Sequence, residues 1–119
     1  MRKQEKKNEE LKYIINRIVL ECQNKSYYTL GVSTSMKNNF LMEEFVNYCE
    51  KRFEEKNVDI KIKRLQPISY YADALEEARS CDAIILIERY MYTTYKGMEK
   101  VAELLNYVEI PLLGVVNVR

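Results

Sequence analysis

Histidine is absent from this 119-residue chain, and cysteine, glycine and proline are scarce, at three, three and two residues. Cys22, Cys49 and Cys81 are odd in number, widely spaced and without any imidazole nearby. That argues against a disulfide framework, a zinc site and Cys/His catalysis, and for a reducing, cytosolic setting. Few glycines also leave little material for a phosphate-cradling loop, which needs several and a Gly-Lys-Ser/Thr ending. A surplus of charge is missing too. The formal net charge is +1, so no nucleic-acid partner is expected from electrostatics. No apolar run approaches the roughly 20 residues of a membrane span. The first apolar stretch is interrupted by Asn16 and Arg17, which does not fit the unbroken core of a signal peptide.

What is present fits one globular domain, with 47% hydrophobic residues and enough length to bury a core. Residues 1–8 read as a flexible basic tail, Arg2-Lys3-Gln4-Glu5-Lys6-Lys7 being solvated or resting on a lipid surface. The domain proper is then 9–119. Leu11, Ile14, Ile15, Ile18, Val19 and Cys22 recur at helical spacing, which predicts an amphipathic N-terminal helix over about residues 8–23. A short apolar strand over residues 27–32 runs into Ser33-Thr34-Ser35. A helix follows from Phe40, with Ser35, Asn38 and Asn39 as candidate caps. Its inward face is Leu41, Phe45, Tyr48 and Cys49; Glu43, Glu44, Glu50, Lys51 and Arg52 point to water.

Val58, Ile60 and Ile62 alternate with Asp59, Lys61 and Lys63, the period of a half-exposed strand whose lysines suit a sheet edge. Pro67 ends it, and Ser69 is placed to cap a short helix bearing Ala74, Leu75 and Ala78. The unbroken run Ala83–Ile87 predicts a central parallel strand covered on both faces. A loop over residues 88–94, a helix with Met98, Val101, Ala102 and Leu105 on one face, and a final strand over residues 112–118 complete the chain. Alternation of strands with helices predicts an α/β three-layer sandwich. Its four-stranded parallel sheet should be ordered 2-1-3-4. The last strand would then be an edge, yet it is apolar on both faces, so the N-terminal helix, a second subunit or both should cover it.

Parallel sheets bind ligands beyond the carboxyl ends of their strands. Ser33, Thr34, Ser35 and Lys37, with Arg64 after the second strand and Arg89 after the third, are therefore the candidate anion-binding residues, and Glu88 is delivered to the same end. The competing reading has the hydroxyls capping helices and the cations solvated. Tyr90, Tyr92, Thr93, Thr94 and Tyr95 form a candidate interaction loop, its tyrosines serving as an interface patch or as phosphorylation acceptors. Thr93-Thr94 suits a helix cap better than a nucleophile. Asp59, Asp73 and Asp82 fit local roles, no two carboxylates can be paired at one site, and neither a metal site nor a cofactor is implied. Ten tyrosines make an exposed aromatic surface the expected feature for contact.

Cys81-Asp82-Ala83-Ile84-Ile85-Leu86-Ile87 and Leu113-Gly114-Val115-Val116-Asn117 resemble the closing strands of the bacterial tyrosine-kinase domain of capsule and exopolysaccharide export. Pro67 to Arg79, with Ala72-Asp73-Ala74-Leu75, is similar to the segment after that family's Asp-Thr-Pro-Pro motif. The family's oligomerisation pattern is reduced to Glu9 and Lys12, with Ile15 in the third place. The departures lie at the chemistry. Ser33–Phe40 lacks the phosphate loop, Arg64 stands where the family has its metal-binding Asp, the second acidic strand is missing, and no tyrosine tail follows Arg119. The resemblance thus implies a relative without ATP chemistry. As a non-catalytic regulatory or scaffolding domain in polysaccharide assembly it would partner such a kinase or a chain-length regulator, or form a homo-oligomer. It would lie in the cytoplasm at the inner face of the membrane, reaching the bilayer only through a partner or a missing segment. A second resemblance, to sugar-phosphotransferase IIB subunits, rests on Gly31-Val32-Ser33-Thr34-Ser35 and implies a phosphocarrier or small-anion-binding protein. The phosphorylated cysteine of that family falls on Tyr28.

Overall fold

A computed structural model describes residues 3–89 and 94–118, residues 3–7 as backbone only. The elements follow the expected alternation: α1 (Lys3–Lys25), β1 (Thr29–Ser33), α2 (Phe40–Glu55), β2 (Lys61–Arg64), α3 (Ala72–Ala78), β3 (Ala83–Arg89), α4 (Tyr95–Tyr107) and β4 (Leu112–Val118). The sheet is parallel throughout, in the order β2-β1-β3-β4.

Side-chain alternation along β3 divides the core. Ala83, Ile85 and Ile87 join Ile15, Ile18 and Cys22 of α1 and Met42, Phe45, Val46, Cys49 and Phe53 of α2 on one face. Ile84 and Leu86 join Ala74 and Ala78 of α3 and Val101 and Leu105 of α4 on the other. A strand with apolar residues at every position is the sequence form of burial on both faces. All of β3 up to Glu88 is buried.

Several boundaries depart from the sequence reading. The α1 helix takes in residues 3–8, expected as tail, and continues to Lys25. The second strand is shorter and later than its alternation implies, starting at Lys61. Ser69 does not cap α3, whose N-cap position falls on Tyr71. At the start of α2 the cap position falls on Asn39, which makes no side-chain cap bond; instead the Asn38 Oδ1 accepts from the Phe40 N–H at 2.8 Å. Arg52, expected in water, is only 18% exposed.

Three helices end by one device. Ser26, Asn57 and Glu109 adopt left-handed φ angles of 57°, 52° and 60°. The next residue then donates its N–H to a carbonyl five residues back: Tyr27 to Cys22 (2.8 Å), Val58 to Phe53 (2.9 Å) and Ile110 to Leu105 (3.0 Å). This is the Schellman arrangement, with an apolar residue following the turn. Glycine favours the central position, but none of the chain's three glycines stands there. Glu109→Gly should therefore raise unfolding free energy by about 1 kcal/mol, measured by urea denaturation; an unchanged or lower midpoint would refute the strain assigned to that residue.

Candidate functional site

The carboxyl ends of β1 and β3 meet at a polar cluster inside the fold. Ser33 and Thr34 are fully buried, Ser35 nearly so, and Glu88, the penultimate residue of β3, is completely buried beside them. The two strands are in register with Ser33 against Leu86, which brings Glu88 level with the turn after β1. The Ser35 backbone N–H donates to Glu88 Oε1 and the Ser35 hydroxyl to Oε2, both at 2.7 Å. Two short hydrogen bonds to one side chain tie the turn after β1 to the end of β3. The remaining hydroxyls are also engaged. Ser33 Oγ donates to the Gln66 carbonyl at 3.0 Å, and Thr34 Oγ1 accepts from the Met36 N–H at 3.1 Å.

The α4 helix begins against this cluster. Thr94 caps it, its Oγ1 accepting from the Gly97 N–H at 3.0 Å, the cap role preferred for it in the sequence. A Cβ on Gly97 would lie 3.1 Å from Thr94 Oγ1 and 3.6 Å from Ser35 Oγ, so the glycine lets the helix approach the turn closely. Tyr95 is strongly exposed. Tyr90, Tyr92 and Thr93, the rest of the expected interaction loop, lie outside the described residues.

The candidate anion ligands do not converge. Ser33, Thr34 and Ser35 are together, but Lys37 is exposed and Arg64 faces α2. The Arg64 guanidinium donates from Nε to Glu43 (2.9 Å) and from its terminal nitrogens to Glu50 (2.6 and 3.2 Å) and Asn47 (2.8 Å). Hydrogen bonding to Glu50, and after it to Glu43, pushes the Arg64 pKa further up. A free anion at Ser35 would thus meet a carboxyl group already on the N–H, with Arg64 held elsewhere. Sequence reasoning delivers Glu88 to this end of the sheet, as the first residue after the apolar run of β3, but gives it no part in holding the turn.

Asp82 serves the opposite end of the sheet. Its Oδ2 accepts from the Tyr28 and Thr29 N–H groups at 2.7 and 2.9 Å. Tyr28 precedes β1 and Gly31 lies within it, so residues 28–35 are not one loop. The three thiols are buried and unpaired with one another. Burial pushes Cys49 up to about 12 and raises Cys22 and Cys81 as well, which keeps them protonated and weakly nucleophilic at neutral pH. Among the described residues, no three His, Cys, Asp or Glu side chains group as a metal site, and no helix is long and apolar enough to cross a membrane.

Compared with known proteins, the chain matches no family model, no curated protein and no solved structure.

Proposed function

We propose that this chain works by contact, as a non-catalytic regulatory or scaffolding domain. The observation that carries the proposal is the Ser35–Glu88 pair. In parallel α/β proteins the turn after the first strand is where backbone N–H groups hold a ligand's phosphate. Here the chain's own buried Glu88 side chain takes that N–H, so a phosphate brought to the same turn finds the donor already engaged. The setting, polysaccharide assembly beside a tyrosine kinase or chain-length regulator, is supported by the resemblance of residues 67–117. A surface rich in exposed tyrosine, including Tyr13, Tyr28, Tyr70, Tyr95 and Tyr107, supports the contact role, because tyrosine supplies large contact area at modest entropic cost.

Calorimetry with Mg-ATP should give no binding heat, the neighbouring coding regions should contain an intact polysaccharide-export tyrosine kinase, and pull-down with that kinase should recover a complex weakened by Tyr90→Ala or Tyr92→Ala. Micromolar Mg-ATP binding lost in Lys37→Ala would overturn the non-catalytic reading. Failure to recover a complex with that kinase, or one indifferent to both tyrosine variants, would overturn the assigned partner and contact loop.

A further inference from the structure

The two edges of the sheet are built differently. The β2 edge carries Lys61, Lys63 and Arg64, charges of the kind that keep an edge from pairing with another chain. The β4 edge, Leu112-Leu113-Gly114-Val115-Val116-Asn117-Val118, has no charged residue. It pairs with β3 on one side and, among the described residues, with no strand on the other. Val115 is 39% exposed, and a Cβ on Gly114 would have no described atom within 4 Å. The N-terminal helix, expected to cover this strand, covers it in part. A groove of about 230 Å³ remains between Ile14, Arg17, Ile18 and Glu21 of α1 and the 113–117 stretch.

We propose that this edge pairs with the β4 edge of a second copy of the chain. The two strands would run antiparallel about a two-fold axis at Val115, joining two sheets into one of eight strands. An unpaired row of backbone N–H and C=O groups is chemically a template for a strand, and a C2 contact needs a self-complementary surface. The strand meets that requirement because pairing it with itself sets no like charges opposite each other. Val115 would face the second copy's Val115, and Gly114 would face its Val116.

The helix beside the edge supplies charge complementarity. Asn8 and Leu11 lie near Val118, whereas residues 14–21 border 113–117, so α1 runs opposite to β4. From Val118 back to Val115 is about 10 Å of strand, which equals about seven residues of helix. Val115 therefore lies level with the turn around Ile18. A two-fold axis there brings Arg17 of each copy towards Glu21 of the other, and both side chains are exposed.

This inference stands independently of the kinase partner proposed above. Sedimentation velocity of the full chain over a dilution series should reveal a dimer. Val115→Lys would set two lysines opposite each other on the axis and weaken the dimer by about tenfold or more, with circular dichroism unchanged. Arg17→Glu should weaken it, and Arg17→Glu combined with Glu21→Arg should restore it. Amide exchange along β4, but not along β2, should slow as concentration rises. Should Val115→Lys fail to fold, the charge swap and the exchange pattern still decide. A monomer at every concentration would leave the edge to some other chain and overturn the proposal. A dimer indifferent to Val115→Lys, or a swap that fails to restore association, would overturn it equally.

Discussion

Glu88→Ala should lower the unfolding free energy by about 3 kcal/mol. The carboxylate is fully buried and accepts both the N–H and the hydroxyl of Ser35. Truncation strands two buried donors, each costing about 1–3 kcal/mol when it finds no partner, and leaves a cavity where the side chain stood. Partial relaxation of the turn and entry of water offset some of that sum. Glu88→Gln preserves the volume and one acceptor, so its loss should be clearly smaller, near 1 kcal/mol. Urea denaturation of both variants separates the terms. If alanine and glutamine behave alike, or if alanine costs less than about 0.5 kcal/mol, the carboxylate is not holding the turn, and the contact reading loses its main support.

Glu88 also marks where sequence reasoning stops. The apolar run Ala83–Ile87 identifies the central strand without help, and the strand–helix alternation yields the sheet order. A carboxylate directly after such a run reads as the start of a loop, because buried acids are rare. What reverses that reading is a partner 53 residues away, the Ser35 N–H, which no local pattern reports. Arg64 is a different case. It stands at a strand end, where a ligand-binding role is the natural inference. Yet Glu43, Asn47 and Glu50 are spaced four and three apart, which puts them in one stripe on α2. The β1-α2-β2 crossover lays α2 beside β2, so the three acceptors for Arg64 were legible as a set, although two of them were read singly as solvated.

The boundary of β2 failed for another reason. Val58 and Ile60 alternate with charged residues as a strand would, but both pack into the core ahead of the strand. Val58 is the apolar residue that closes the end of α2, its N–H bound to the Phe53 carbonyl. A helix terminus and a half-exposed strand thus produce the same alternation over a few residues. Only the positive φ at Asn57 tells them apart, and backbone dihedrals are not written in the side chains.

The two strand glycines should respond to alanine with opposite signs. Neither has a positive φ, so backbone strain plays no part and only the space around each matters. A Cβ on Gly31 would lie 2.5 Å from Ile84 Cδ1, 2.8 Å from Cys81 Sγ and 3.0 Å from Leu65 Cδ1. Those atoms are side-chain ends, but all three residues are buried in the cluster under α3 and α4, where interior packing leaves little room to retreat. Overpacking of this kind costs about 1–3 kcal/mol, against about 0.5–1 kcal/mol gained by replacing a strand glycine. Gly31→Ala should therefore destabilise by about 2 kcal/mol. Gly114→Ala meets no described atom and should stabilise by about 0.5 kcal/mol. Trimming the obstructing methyl gives a direct check on the cause. In the Gly31→Ala/Ile84→Val double variant the closest contact is gone, so the two substitutions should cost less together than the sum of their separate costs. Strict additivity in urea denaturation, or a Gly31→Ala variant as stable as the parent, would show that the close approach of β1 to Ile84 does not limit what the first strand can carry at position 31.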